Sequence, residues 1–186
     1  MKSGFLHLLV LWVLALHCFA AEVTHAHVDY DDGHYLVRVV MKIEAEVDTV
    51  YAILTDFDNL TSLNKAIKLS RLLKSDGKHH LVTIEAEGCV WFFCQEIIQT
   101  QWVTERGNGY ISAVTLPERS NLEYGRVLWH IRQEDEYTVI SYRSDVVPKF
   151  FVPPLIGTYI MKNKMLEKAQ QTIQNIERIA QENENY

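Results

Sequence analysis

Three groups of side chains have the types and spacing for chemistry. The first lies in Glu22 to His34, which holds His25, His27, His34, Asp29, Asp31 and Asp32. Imidazoles and carboxylates are metal-ligand types. Yet His25, His27 and Asp29 alternate as one face of a strand, and Asp32-Gly33 is a hairpin signal. The expectation is a hairpin, with no metal. The second group is Cys89 and Cys94. In an oxidising compartment such a pair invites a disulfide. A straight strand would hold the two ~16 Å apart, against a Cα limit of about 7 Å. The bridge therefore closes only if Val90-Trp91-Phe92-Phe93 turns; two small buried thiols are the other reading. The third group is Glu87, Arg126, His130, Tyr142 and Arg143, acid–base types carried on strands. An enzyme acting in an enclosed space needs only one or two such groups. His130 leads as a catalytic candidate because an unperturbed imidazole titrates near neutrality, and Glu87 follows. A one-residue register slip would turn either one outward. The sequence has no Gly-x-Ser-x-Gly, Gly-x-Gly-x-x-Gly or His-Glu-x-x-His pattern, so no nucleophile, phosphate-loop or zincin chemistry is expected.

The elements that must position these groups are mostly strands. After Tyr35–Ala45 comes a short helix, Thr49 to about Phe57, with Asp48 as its expected N-cap. Leu60 and Leu63 could anchor a second. Strands follow over Ile67–Leu73, His79–Glu87, Gln95–Arg106, Tyr110–Leu116, Leu122–Arg132 and Tyr137–Val147, separated by polar or glycine turns. The chain then enters its longest helical pattern. Ile156, Tyr159, Ile160, Asn163, Leu166, Ala169, Ile173 and Ile176 recur at spacings of three and four, so they share a face. A helix from Pro154 to Ala180 would be roughly 40 Å long. Only a sheet curled around it offers an equally long partner surface.

Composition is that of one globular domain: 186 residues, 48% hydrophobic, 23% charged, net charge −6. Without a basic block, nucleic-acid binding is not expected. The first residues differ from the rest. Lys2 precedes the apolar run Phe5–Leu16, and Cys18-Phe19-Ala20-Ala21 is a small-residue exit. Residues 1–20 thus read as a secretory signal peptide cut after Ala20, residues 21–180 as one domain, and residues 181–186 as a polar tail.

This element order resembles the helix-grip fold of the START-like superfamily, with its polyketide cyclase/dehydrase and coenzyme-Q-binding branches. The likeness is carried by Val50-Tyr51-Ala52-Ile53-Leu54-Thr55-Asp56-Phe57 and the step to Ser70, by Pro148-Lys149-Phe150-Phe151-Val152-Pro153-Pro154-Leu155-Ile156-Gly157, and by Cys89–Cys94 at a turn between central strands. The resemblance implies an α+β fold, with about six or seven antiparallel strands around the closing helix. It also implies a cavity between them for an apolar or amphipathic molecule. Ile156, Tyr159, Ile160 and Asn163 on the helix and Phe150 and Phe151 at its entry are the candidate liners. Trp91, Phe92 and Phe93 are candidate gate residues. Asn163, a polar amide on an apolar stripe, would need a partner, and a ligand's polar group would serve.

The expected function is a secreted, periplasmic carrier of a lipid or quinone-like molecule, with no cofactor and at most transient membrane contact. The enzymatic alternative is a cyclase or dehydratase working through an inward-facing His130 or Glu87. A third reading makes Trp91-Phe92-Phe93 a protein-interaction surface.

Overall fold

The computed structural model describes residues 21–90, 93–153 and 158–184, apart from the side chains at 90, 158, 159 and 184. The expected leader, residues 1–20, lies outside the described residues. Eight strands form one antiparallel sheet: β1 Glu22–Asp31, β2 His34–Ile43, β3 Ile67–Asp76, β4 His79–Val90, β5 Phe93–Gly107, β6 Tyr110–Thr115, β7 Leu122–Glu134 and β8 Tyr137–Pro148. Their spatial order is β1-β2-β8-β7-β6-β5-β4-β3. The number exceeds the expected six or seven because residues 22–31 pair along their whole length with β2. Asp32 and Gly33 make the turn between them with φ of 45° and 86°, the left-handed pair that a tight hairpin requires.

Among the described residues, two α-helices share one face of the sheet: α1, Val47–Thr55, and α2, Thr158–Glu184. α2 touches β1 and β2 at one edge and β4 near the other, so the sheet must curl around it. This is the helix-grip arrangement. The side-chain period of two is clearest in β2. In β2, Val37, Val39, Met41 and Ile43 are buried toward the helices, while Arg38 is exposed on the opposite face. Ile43, Ile131, Ile140 and Val50 meet Ile173 and Ile176 in a fully buried core. Each such side chain contributes on the order of 1.5–3 kcal/mol by leaving water.

Two local expectations need correction. Asp48 does not cap α1; Glu46 occupies the N-cap without a side-chain bond, and Asp48 sits in the first turn, where its charge still complements the helix dipole. α2, expected to end at Ala180, runs on into the polar tail. It continues to Glu184, with an Arg178–Glu182 ion pair of 2.7 Å one turn apart.

Candidate ligand-binding site

The strand registers give the helix-facing surface row by row. One row reads Met41, Ile140, Ile131 and the next reads Val39, Tyr142, Trp129, Ile111. A third reads Val37, Ser144, Val127, Ala113, Val103, His80, and a fourth Tyr35, Val146, Gly125, Thr115, Gln101, Val82. Beyond it Gln99 lies opposite Ile84. The first row is wholly apolar. Polar groups enter with Tyr142 and Ser144 and gather at Thr115, Gln101 and Gln99.

That gathering is organised. Gln99 Nε2 donates to Gln101 Oε1 at 3.0 Å and to Thr115 Oγ1 at 2.8 Å. Gln101 and Thr115 are buried. Gly125 makes the space: a Cβ there would stand 2.1 Å from Thr115 Oγ1. Burial also holds the Tyr142 phenol above its ordinary pKa, against an opposing contribution from the Ser144 hydroxyl. Tyr142 is therefore a protonated donor at neutral pH, with Trp129 tilted against it at 4.5 Å.

α2 covers this surface unevenly. Ile173, Ile176 and Ala180 in its lower half are fully buried. Polar clamps fix that half on both sides. Gln170 Nε2 donates to Ala21 O at 2.7 Å and its Oε1 accepts from Val23 N. Asn64 Nδ2 donates to Lys168 O and Thr172 Oγ1, and Asn175 Nδ2 to Leu63 O. These clamps span residues 168–175. In the upper half, Ile160, Met161, Met165 and Leu166 are only half-buried. Methionine is suited to a surface that must adapt to different shapes.

A second polar chain lies at the α1 end. Tyr51 Oη donates to Glu105 Oε2 at 2.5 Å, His80 Nε2 meets Glu105 Oε1 at 2.8 Å, and Ser75 Oγ meets His80 Nδ1 at 3.0 Å. Burial alone would raise Glu105, but the bonds from Tyr51 and His80 and the nearby charges hold it below the ordinary carboxylate value. The Tyr51 phenol is pushed well above its usual value by burial and by its bond to Glu105. Hydroxyl, imidazole and acid are the parts of a nucleophilic triad, but the ring is reversed: there the base meets the hydroxyl through Nε2 and the acid through Nδ1. Ser75 is also exposed, on the edge strand at the β3–β4 hairpin beside His80 at the end of the third row. The chain ties α1 to β4 and β5.

The expected site residues are dispersed. Ile160 is half-buried on α2, whereas Asn163 is exposed, so its amide has water and needs no ligand. Phe150 is half-buried, but Phe151 is 72% exposed and does not line the interior. Phe93 is half-buried in β5. Ile156, Trp91 and Phe92 lie outside the described residues, and Tyr159 is described only in its backbone. Both catalytic candidates face away from the helices. His130 stacks flat on Tyr110 at 3.9 Å on the outer surface. Burial, and then the Arg132 charge, lower its pKa. Glu87 is exposed opposite Glu96, 3.8 Å from Lys68. Arg126 and Arg143 are also exposed outward; of the acid–base group only Tyr142 faces in. Cys89 and Cys94 are cross-strand partners joined by a disulfide, with Cα atoms 4.0 Å apart. The reading from the sequence missed Gln99, Gln101, Thr115 and Ser144. All four lie on strands expected from the sequence, but which phase of each strand faced the helices was not legible.

The sequence matches the family described as "Polyketide cyclase / dehydrase and lipid transport" over residues 43–170. Among curated proteins none matches. Solved structures share the fold at low identity. An aromatase/cyclase, Zhui, from Streptomyces sp. R1128 aligns with TM-score 0.63 and 12% identity over 80% of this chain and 94% of that one. A STAR-related lipid transfer protein from Xanthomonas axonopodis aligns with TM-score 0.58 and 12% identity over 84% and 98%. A START superfamily protein from Mycobacterium smegmatis aligns with TM-score 0.60 and 16% identity over 79% and 97%.

Proposed function

This chain belongs to the polyketide cyclase/dehydrase and lipid transport family, and from that premise we propose that it carries an apolar or amphipathic small molecule without converting it. The ligand lies between the upper half of α2 and the sheet, its polar end toward Gln99, Gln101 and Thr115. One observation carries the reading: a hydrogen-bonded polar cluster on a largely apolar helix-facing surface, in a fold whose covering helix is fully buried along only part of its length. Apolar surface with a few placed polar groups is the composition of small-molecule sites. The experiment is saturable binding of a fluorescent single-chain amphiphile, repeated with Gln101→Leu and Thr115→Val. The reading expects wild-type saturation and weaker binding in both variants at unchanged helical circular dichroism. Absent saturation, or equal affinity in all three proteins, would refute it.

The cyclase reading keeps one supporting observation, the protonated Tyr142 phenol on the same surface. It could polarise a ligand carbonyl as a hydrogen-bond donor. Tyr142→Phe should then abolish turnover of a polyketide-like substrate; on the carrier reading it changes affinity alone.

The proposal extends to export, with cleavage after Ala20. Ala21 N is 3.3 Å from Glu177 Oε2, and among the described residues Glu177 Oε1 is buried with no hydrogen-bond partner. Hydrolysis at Ala20–Ala21 would turn that N–H into an ammonium with donors for both oxygens. The Cys89–Cys94 bridge also suits an oxidising compartment. An intact mass of the exported protein starting at any residue other than Ala21 would refute this cleavage.

A further inference from the structure

The sheet surface opposite the helices carries a second feature, unrelated to the interior. A groove of about 690 Å³ runs across β2, β8, β7 and β6, and Arg38, Arg106, Arg126 and Arg143 all line it. The register explains their convergence. Arg38 and Arg143 are direct cross-strand partners. Arg126 lies opposite Asp145, two residues along β8 from Arg143 and so on the same face. Arg106 reaches in from β5 and is held by Nε donating to Ser112 Oγ at 2.6 Å.

The charges are not balanced from within. Asp145 is the one carboxylate among the groove's residues, and it is bonded to His34 Nδ1 at 2.7 Å. Arg126 lies over the Tyr124 ring at 5.6 Å. Among the described residues, Arg38 and Arg143 make no hydrogen bond or ion pair. Like charges directly opposite on adjacent strands are destabilising, and a guanidinium stays charged at any physiological pH. The chain as a whole is acidic, with net charge −6, so general basicity does not account for the cluster. All four cations are arginine, whose planar fork matches an oxyanion through paired bonds where lysine offers a point charge. Leu36, Val114 and Leu128 supply apolar walls between them, and Val114 is 48% exposed.

We propose that this groove binds a phosphate ester, whose oxygens bridge Arg38 and Arg143 and reach Arg126 and Arg106 while its organic part lies on Leu36, Val114 and Leu128. The groove is larger than an inorganic phosphate needs, which favours an ester. A soluble phosphomonoester and the headgroup of an anionic phospholipid share this chemistry.

The test uses the disulfide-intact protein and the exposed-site variants Arg38→Gln/Arg143→Gln and Arg126→Gln. Glycerol 3-phosphate is titrated by calorimetry, and vesicles of phosphatidylcholine with or without phosphatidylglycerol are tested by cosedimentation. Interior amphiphile binding is measured on every variant. Saturable glycerol 3-phosphate binding, weakened roughly tenfold or more in the variants, supports the site with a soluble source. Cosedimentation confined to phosphatidylglycerol vesicles, falling with added salt and lost in the variants, supports it with a lipid source. No binding in either arm, or binding that the variants leave unchanged, overturns the proposal. Because the variants leave the interior untouched, amphiphile binding should persist in them. Its absence in wild-type protein would count against the carrier function alone.

Discussion

Glu105 is the residue on which the α1 end of the site turns. It accepts from Tyr51 and meets His80, so removing its charge leaves both in poorer company. Glu105→Gln should cost about 1–3 kcal/mol near neutral pH, the scale of hydrogen bonds to a charged group, measured by urea unfolding. Its pKa is lowered in the folded protein. That contribution is therefore present above the unfolded carboxylate value of about 4.3 and is lost as pH falls through the folded value. The stability gap between wild type and Glu105→Gln should narrow below about pH 4; a gap that widens there would contradict the assignment. Gly125 makes a second residue-scale case. An added Cβ meets Thr115 Oγ1 at 2.1 Å, so Gly125→Ala should cost roughly 1–3 kcal/mol by overpacking and should weaken amphiphile binding by displacing Thr115 and Gln99.

At the scale of elements, the two halves of α2 should respond differently. Ile173→Ala empties a fully buried site and should cost about 2–5 kcal/mol. Met161→Ala, in the half-buried upper half, should cost far less stability while changing ligand affinity. Equal losses in thermal unfolding would mean that the helix is packed alike along its length. The β4–β5 hairpin is closed by Cys89–Cys94, a loop short enough that reduction should cost only about 2 kcal/mol on the chain-entropy view. The sequence made these elements legible for separate reasons. The three-and-four spacing of Ile173 and Ile176 marked α2, and Asp32-Gly33 marked the first turn. Leu122–Arg132 already showed two alternating faces, one with Trp129 and Ile131 and one with Arg126 and His130. What it could not show was which face met the helix, because a strand alone has no inside. Whether His130 and Glu87 faced the interior was therefore open from the sequence, and both lie on the outer surface. The same ambiguity hid Gln99, Gln101, Thr115 and Ser144, which become a site only when four strands set their rows side by side. Asn163 erred differently: its position on the apolar stripe was right by spacing, but the upper half of α2 is open enough to leave it in water.

In the whole molecule the two faces of the sheet differ in make-up. The concave side holds α1, α2, the packed core and the polar cluster. The opposite side carries the arginine groove. The proposed carrier needs an interior that can be filled and emptied, and on that proposal it would open at the half-buried part of α2 while the clamped part holds the core. Native mass spectrometry of the protein purified from its own host, followed by organic extraction, tests this directly. The account predicts a stoichiometric apolar or amphipathic adduct, lost on extraction and restored by incubation with host lipid extract. An apo mass that stays unchanged after that incubation would contradict it.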